Sequence, residues 1–150
     1  MTTTVSLPDL PTLVGRPLGP TEYREVSQEQ VNLFADATDD HQWIHTDPER
    51  AKDGPFGGPI AHGYLSLSLV IPFSEELLQV DGVSTKVNYG LDKVRFPAPV
   101  KVGDKVRMTS TITSVTEVAG GVQVVMDNVI ETEGGTKPSV AATTLFRFYS

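Results

Sequence analysis

From Val83 to the C-terminus, apolar and polar residues alternate in long runs separated by glycine turns, a pattern that only a sheet satisfies. Val83, Thr85, Val87 and Tyr89 alternate with Ser84, Lys86 and Asn88, and after Gly90 a further run extends from Leu91 to Phe96. Pro97-Ala98-Pro99 interrupts it. Gly103-Asp104 then leads into Lys105 to Val118, Gly120-Gly121 into Val122 to Thr132, and Gly134-Gly135 into Val140 to Tyr149. Turns this close to the strands make antiparallel hairpins. Val106, Met108 and Ile112 share one face, as do Val122, Val124, Met126 and Ile130, and Val140, Ala142, Phe146 and Phe148. A sheet with one apolar face needs a cover.

The cover has to come from the first half. Ser27 opens a helix with a capping-box partner at Gln30 and a hydrophobic staple from Val26 to Val31. Val31, Phe34, Ala35 and Thr38 lie on its inward face. Asp47 as cap, Pro48 in the first turn and Gly54 beyond the end signal a second, short helix. Asp39 to Thr46 reads as a connector between the two. The run from Ile60 to Ile71 is nearly all apolar and is expected to end at Pro72. Its period fits a strand, through Leu65, Leu67 and Leu69, as well as a helix apolar on most sides. Residues 1–20, with prolines at 8, 11, 17 and 20, read as an extended arm over the domain, and Thr21 to Val26 as a short strand. The whole, 1–150, is expected to be a single α+β domain.

Composition narrows the function. With no cysteine there are no disulfides, thiolate nucleophiles or cysteine-ligated metals. No apolar run reaches membrane-spanning length and the N-terminus lacks a signal-peptide pattern, so a cytoplasmic protein without membrane partners is expected. A net charge of −7 opposes nucleic acid as a partner. Yet Lys86, Lys93, Arg95, Lys101, Lys105 and Arg107 hold half of the twelve basic residues. They read either as edge-strand charges that discourage aggregation or as a patch for a phosphorylated carrier, and charge alone favours the former.

Chemistry concentrates between Ala37 and Tyr64. All three histidines, His41, His45 and His62, lie there with the only tryptophan, Trp43, and with Asp39, Asp40, Asp47 and Asp53. Four glycines and three prolines make much of the stretch loop, the usual setting for reactive groups. A carboxylate and an imidazole facing one water suit proton transfer near neutrality. His41 and His45 also have the spacing of two ligands on a helical face. Trp43 and the Asp47-Pro48 break oppose a metal site there, and none is expected.

Asp40-His41-Gln42-Trp43-Ile44-His45 resembles the D-x-N-P-x-H signature of the MaoC-like, R-specific enoyl-CoA hydratases and dehydratases. Pro59-Ile60-Ala61-His62-Gly63 resembles the family segment that leads into its central helix. Phe96, Pro99-Val100 and Gly103-Asp104 resemble the following strand and turn. The D-H-Q-W-I-H form and Asn88-Tyr89-Gly90-Leu91-Asp92 look most like the NodN-like branch. Gln42 and Trp43 depart from the signature, and Asp39 stands where glycine is common.

The resemblance implies a hot-dog fold, a curved antiparallel sheet wrapped around a helix that begins near His62, and a homodimer. It implies a hydro-lyase that interconverts trans-2-enoyl and (R)-3-hydroxyacyl thioesters carried on coenzyme A or a carrier protein, without a cofactor. Asp40 and His45 are then the catalytic pair, and the backbone N–H of Gly63 stabilises the enolate oxygen. Gln42 keeps an amide to orient Asp40. Ile60, Ala61, His62 and Gly63 line the thioester end, and Lys86, Val87, Asn88 and Tyr89 meet the pantetheine or acyl chain. A non-catalytic acyl-binding or partner subunit and an acyl thioesterase are the competing functions.

Overall fold

The computed structural model describes residues 1–150. The chain begins with β1 (Thr3–Ser6), a 3-10 segment (Leu7–Leu13), β2 (Pro17–Leu18), β3 (Arg24–Glu25) and helix α1 (Gln28–Thr38). Two one-turn helices follow, α2 (Trp43–Thr46) and α3 (Pro48–Ala51), then α4 (Gly63–Ser68) and α5 (Val70–Leu77). The remainder is strand: β4 (Leu78–Asp81), β5 (Thr85–Arg95), β6 (Lys105–Val118), β7 (Gly121–Thr132) and β8 (Pro138–Tyr149).

The long strands form one antiparallel sheet in the order β2-β6-β7-β8-β5, with β3 also on β6. β5 passes straight through Gly90, where sequence suggested a break, and absorbs it as register shifts at Asn88/Gly90 and Leu91/Lys93. Irregularities of this kind bend a strand, as does the shift in β6 at Ile112/Ser114. Alternate residues of β6, β7 and β8 are buried as the pattern requires.

Their cover is α4 and α5. Leu65, Leu69, Phe73 and Leu77 recur every four residues and, with Val70, form one buried stripe in the same core as Met108, Ile112, Met126 and Phe146. The ambiguous run is therefore helix, but it does not stop at Pro72. Proline lacks the N–H that would bond four residues back, yet it is tolerated in a first helical turn. Pro72 is the third residue of α5, and the joint falls at Leu69, whose N–H is shared between the carbonyls of Leu65 and Ser66, 3.2 Å each. The helix bends its bonding there and continues to Leu77.

The first twenty residues are less extended than their prolines suggested. β1 pairs in parallel with β4, from Thr3 on Leu78 to Ser6 on Asp81, and the 3-10 segment buries Leu10 and Leu13. Pairing between strands so distant in sequence leaves no local signature. Of the strand expected over Thr21 to Val26, only Arg24–Glu25 forms.

The Ser27 cap forms as expected, its hydroxyl accepting from the Gln30 N–H at 3.1 Å, and Val31 and Ala35 point into the protein. Thr38, also placed on that face, is exposed. Phe73 is fully buried at the centre of the helical stripe. Phe73→Ala should cost about 3–5 kcal/mol of stability by cavity formation, read as a lowered urea midpoint with an unchanged slope.

Candidate active site

Helix α1 ends at Asp39, whose φ of 61° and ψ of 27° are left-handed. Glycine takes that conformation most readily, and Asp is among the few side chains that tolerate it. This explains why Asp39 can stand at a glycine position. Its side chain is almost fully exposed, so it caps the helix and adds no acid to the interior. Asp40 follows in the exposed turn.

His45 was expected in an irregular connector and instead lies on α2. That single turn starts from the Gln42 carbonyl, which accepts from the N–H of His45 at 3.0 Å and of Thr46 at 3.3 Å. A one-turn helix carries too few residues for periodicity to reveal. The turn is tied to the entry of α4 twice over. Ile60 N–H donates to the Ile44 carbonyl at 2.9 Å, and His45 Nδ1 lies 2.7 Å from the Ile60 carbonyl. A carbonyl only accepts, so Nδ1 carries the proton and Nε2 presents its lone pair. That is the tautomer of a general base.

His62 closes the arrangement. Its Nε2 donates to the backbone carbonyl of Asp40 at 2.9 Å, and its ring stacks on His45 with centroids 3.9 Å apart and planes 24° apart. A carboxylate oxygen of Asp40 and ring nitrogens of His45 and His62 all lie within 4.8 Å of one another. Such a trio can hold a water or a cation by distance alone. Near-parallel rings, however, direct their in-plane lone pairs side by side, and a tetrahedral metal needs them to converge. The geometry suits a water.

Two imidazoles of this stretch are tuned in opposite directions. Burial holds His45 below the usual histidine value of 6.5, and the adjacent His62 adds to this, against the raising effects of the Ile60 hydrogen bond and Asp40. His41 is raised above 6.5, first by its 2.9 Å hydrogen bond to Asp36 and then by the charges of Asp36 and Asp39. His41 is half exposed and its two ring nitrogens meet Asp36 and Asp39, so it belongs to the helix end.

The departures from the signature have structural explanations. Trp43 lies beneath the Arg50 guanidinium, 4.3 Å from its ring centroid, and a Cβ on Gly54 would come within 2.9 Å of the indole. It braces α3. Asp47 caps that helix as expected, accepting from the Arg50 N–H at 3.1 Å. The Gln42 amide does not orient Asp40; the Gln42 backbone N–H does, at 3.4 Å from a carboxylate oxygen.

Gly63 opens α4, so its N–H has no helical carbonyl to bond. A side chain here would press on the Phe96 ring, 3.0–3.3 Å from an added Cβ. Glycine lets the Phe96 ring close over the helix start, and a Cβ there would make the ring give way by a few tenths of an ångström. Phe56, Ile60, Ala61, Gly63, Phe96 and Pro99 line a shared hollow. The strand residues expected to meet substrate are not brought there. Lys86 and Asn88 line a separate hollow against α5, where Lys86 pairs with Glu75 at 3.0 Å. Val87 and Tyr89 are exposed and absent from both hollows, with Tyr89 stacked under Arg147 at 3.6 Å. Nor is the basic run a free patch throughout, since Lys86 and Arg107 are paired, the latter with Glu131 at 2.6 Å.

A curved antiparallel sheet around one helix, with a carboxylate and two imidazoles gathered near the helix start, defines a hot-dog protein. The chain belongs to the MaoC-like dehydratase family, matching the MaoC like domain over residues 9–134. It is 47% identical, across 99% of both chains, to the 3-hydroxyacyl-thioester dehydratase Z of Mycobacterium tuberculosis (strain CDC 1551 / Oshkosh). It is 49% identical over 105 residues to nodulation protein N of Rhizobium leguminosarum bv. viciae, covering 69% of this chain and 65% of that one. Among solved structures, the (R)-hydratase of A. caviae involved in PHA biosynthesis superposes with a TM-score of 0.73 at 26% identity, covering 89% of this chain and 94% of that one. No helix is long and apolar enough to cross a membrane.

The opposed tuning is directly observable. In an NMR titration of the ring protons, His45 should titrate below 6.5 and His41 above it, and Asp36→Asn should bring only His41 back toward 6.5.

Proposed function

We propose that this protein reversibly hydrates trans-2-enoyl thioesters to (R)-3-hydroxyacyl thioesters, with Asp40 and His45 acting on one water. The observation that carries this reading is the placement of an Asp40 carboxylate oxygen and a His45 ring nitrogen within 4.8 Å of each other. Two hydrogen bonds of about 2.8 Å meeting at one oxygen span such a gap. The full-length identity to a 3-hydroxyacyl-thioester dehydratase supports the same chemistry.

His45 Nε2 takes a proton as the water oxygen bonds to C3, and electron density moves to the thioester oxygen. The Gly63 N–H, aimed outward from the helix start, stabilises that oxygen. The pair then returns the proton to C2 and regains its starting state, so one water supplies both added groups. A base held below 6.5 remains neutral, and therefore able to accept, throughout the neutral range. Attack and protonation from one face make the addition syn, and the R product requires that the water meet the face of C3 that leads to that configuration. Ile60 and Ala61, which line the hollow at the helix start, frame the thioester end, and coenzyme A or a carrier protein brings the acyl chain.

The decisive assay is incubation with crotonyl-CoA. Loss of enone absorbance with (R)-3-hydroxybutyryl-CoA as product supports the proposal; CoA release marks a thioesterase, and no reaction marks a binding subunit. Asp40→Asn and His45→Ala should each cost at least about 10²–10⁴-fold in kcat with little change in melting temperature. Because both act on one water, the double variant should be barely worse than either single one.

The working unit is a homodimer joined through β5. This strand ends the sheet order and is exposed along nearly all its length, including Val87, Tyr89 and Leu91. A long edge strand with apolar side chains calls for a partner strand. In a sizing experiment the protein should elute at about twice its 16.2 kDa chain mass, and a stable monomer would refute this assembly.

A further inference from the structure

We infer that His62 is a positioning residue for the reaction, holding the Asp40 backbone and the His45 ring in the relative geometry that their shared water requires. The inference rests on Asp40 and His45 being the reacting pair. Asp40 stands in an exposed turn beyond the end of α1, and its carboxylate meets only the Gln42 N–H, at a long 3.4 Å. The strong tie on this residue is the 2.9 Å bond from His62 Nε2 to its carbonyl. His62 itself is well fixed. It is 2% exposed, the preceding Ala61 N–H donates to the Val100 carbonyl at 2.8 Å, and its own carbonyl accepts from Ser66 at 3.1 Å. Phe34 of α1 packs on its ring at 4.8 Å. Thus the rigid start of α4 reaches across to place one member of the pair while its ring is stacked on the other.

The choice of histidine argues for function over packing. Its Nδ1 is buried without a partner, a cost that a phenyl ring of similar shape would not incur. A site filled only for stability favours the apolar ring. Histidine is needed if the ring must both stack and donate. Displacing a reacting group by about 1 Å can cost on the order of 10²-fold in rate, so the effect should fall on turnover.

His62→Phe keeps the ring and loses the donor; His62→Gln loses the ring and keeps an N–H able to reach the Asp40 carbonyl. The titratable groups facing His45 are His62 across the stack and Asp40 of the adjoining turn. Burial is the main depressor of His45 and His62 adds to it, so either substitution removes the added effect and should raise the His45 titration seen by NMR and move the acid limb of kcat/KM to higher pH. With a thioester substrate, His62→Phe should lower kcat about 10²-fold with little change in KM, and His62→Gln should recover to within about tenfold of the parent. Unchanged kcat with an unmoved His45 titration in folded variants overturns the inference. So does equal loss in both variants with that titration unmoved, which marks a purely structural role. Should His62→Phe fail to fold, His62→Gln decides alone: near-parental kcat with a raised His45 titration supports the inference, and an unmoved titration overturns it. Asp40→Asn and His45→Ala separate the two readings, because full activity in those variants removes the pair itself, whatever His62 does.

Discussion

Everything in this fold depends on covering the apolar face of one curved sheet with one helix. β6, β7 and β8 present a face made mostly of Val, Ile, Met and Phe, and the stripe at 65, 69, 70, 73 and 77 is what buries it. Because that stripe is fixed in the sheet, the point where the helix emerges is fixed as well. His62 and Gly63 sit at that point, and Ile60 and Ala61 are held just before it by Ile44 and Val100. The reactive stretch is therefore anchored at its C-terminal end by the core and at its N-terminal end by α1. The stretch between them carries little regular structure and borrows its order from both ends.

What could be read from the amino acids follows from the range of the forces involved. The long strands were legible because alternation is local and repeated many times, and the Ser27 and Asp47 caps because a cap is a four-residue event. That Asp40 and His45 come close together was legible through the resemblance to a family signature. The α2 turn, the parallel β1–β4 pairing and the course of the helix past Pro72 were not. Each depends on a partner far away in sequence or on a sharing of carbonyls that no residue type announces. Alternation predicts that Lys86, Val87, Asn88 and Tyr89 form a strand, but not that Lys86 and Asn88 line a hollow against α5. For His62 the sequence marks the segment that enters the helix, and only the folded chain brings the ring to a residue 22 positions earlier.

The histidines also show how three similar rings acquire three tasks from their surroundings. His41 has two carboxylates and open solvent, and its ring ties Asp36 and Asp39 together at the end of α1. His45 has a carbonyl on one nitrogen, which leaves the lone pair of the other free, and burial around it, which keeps the ring neutral. His62 spends one nitrogen on the Asp40 backbone and leaves the other without company. No rule based on residue type separates them, whereas the atom each nitrogen meets does.

One row of residues in the sheet has a bearing on how the chain finds its pairing. Ser110, Asn128 and Thr144 lie on adjacent strands in the middle of the apolar face, all buried. The Ser110 hydroxyl donates to Asn128 at 2.7 Å, and the Asn128 amide donates to Thr144 at 2.9 Å and to the Ala142 carbonyl at 3.2 Å. Alternation forbids a strand to slip by one residue, since every side chain would change face, but it is blind to a slip by two. After such a slip Asn128 would face methyl groups, its amide stranded in hydrocarbon. The polar row acts as a vernier on an otherwise uniform scale, and it gives three long, similar strands a single alignment.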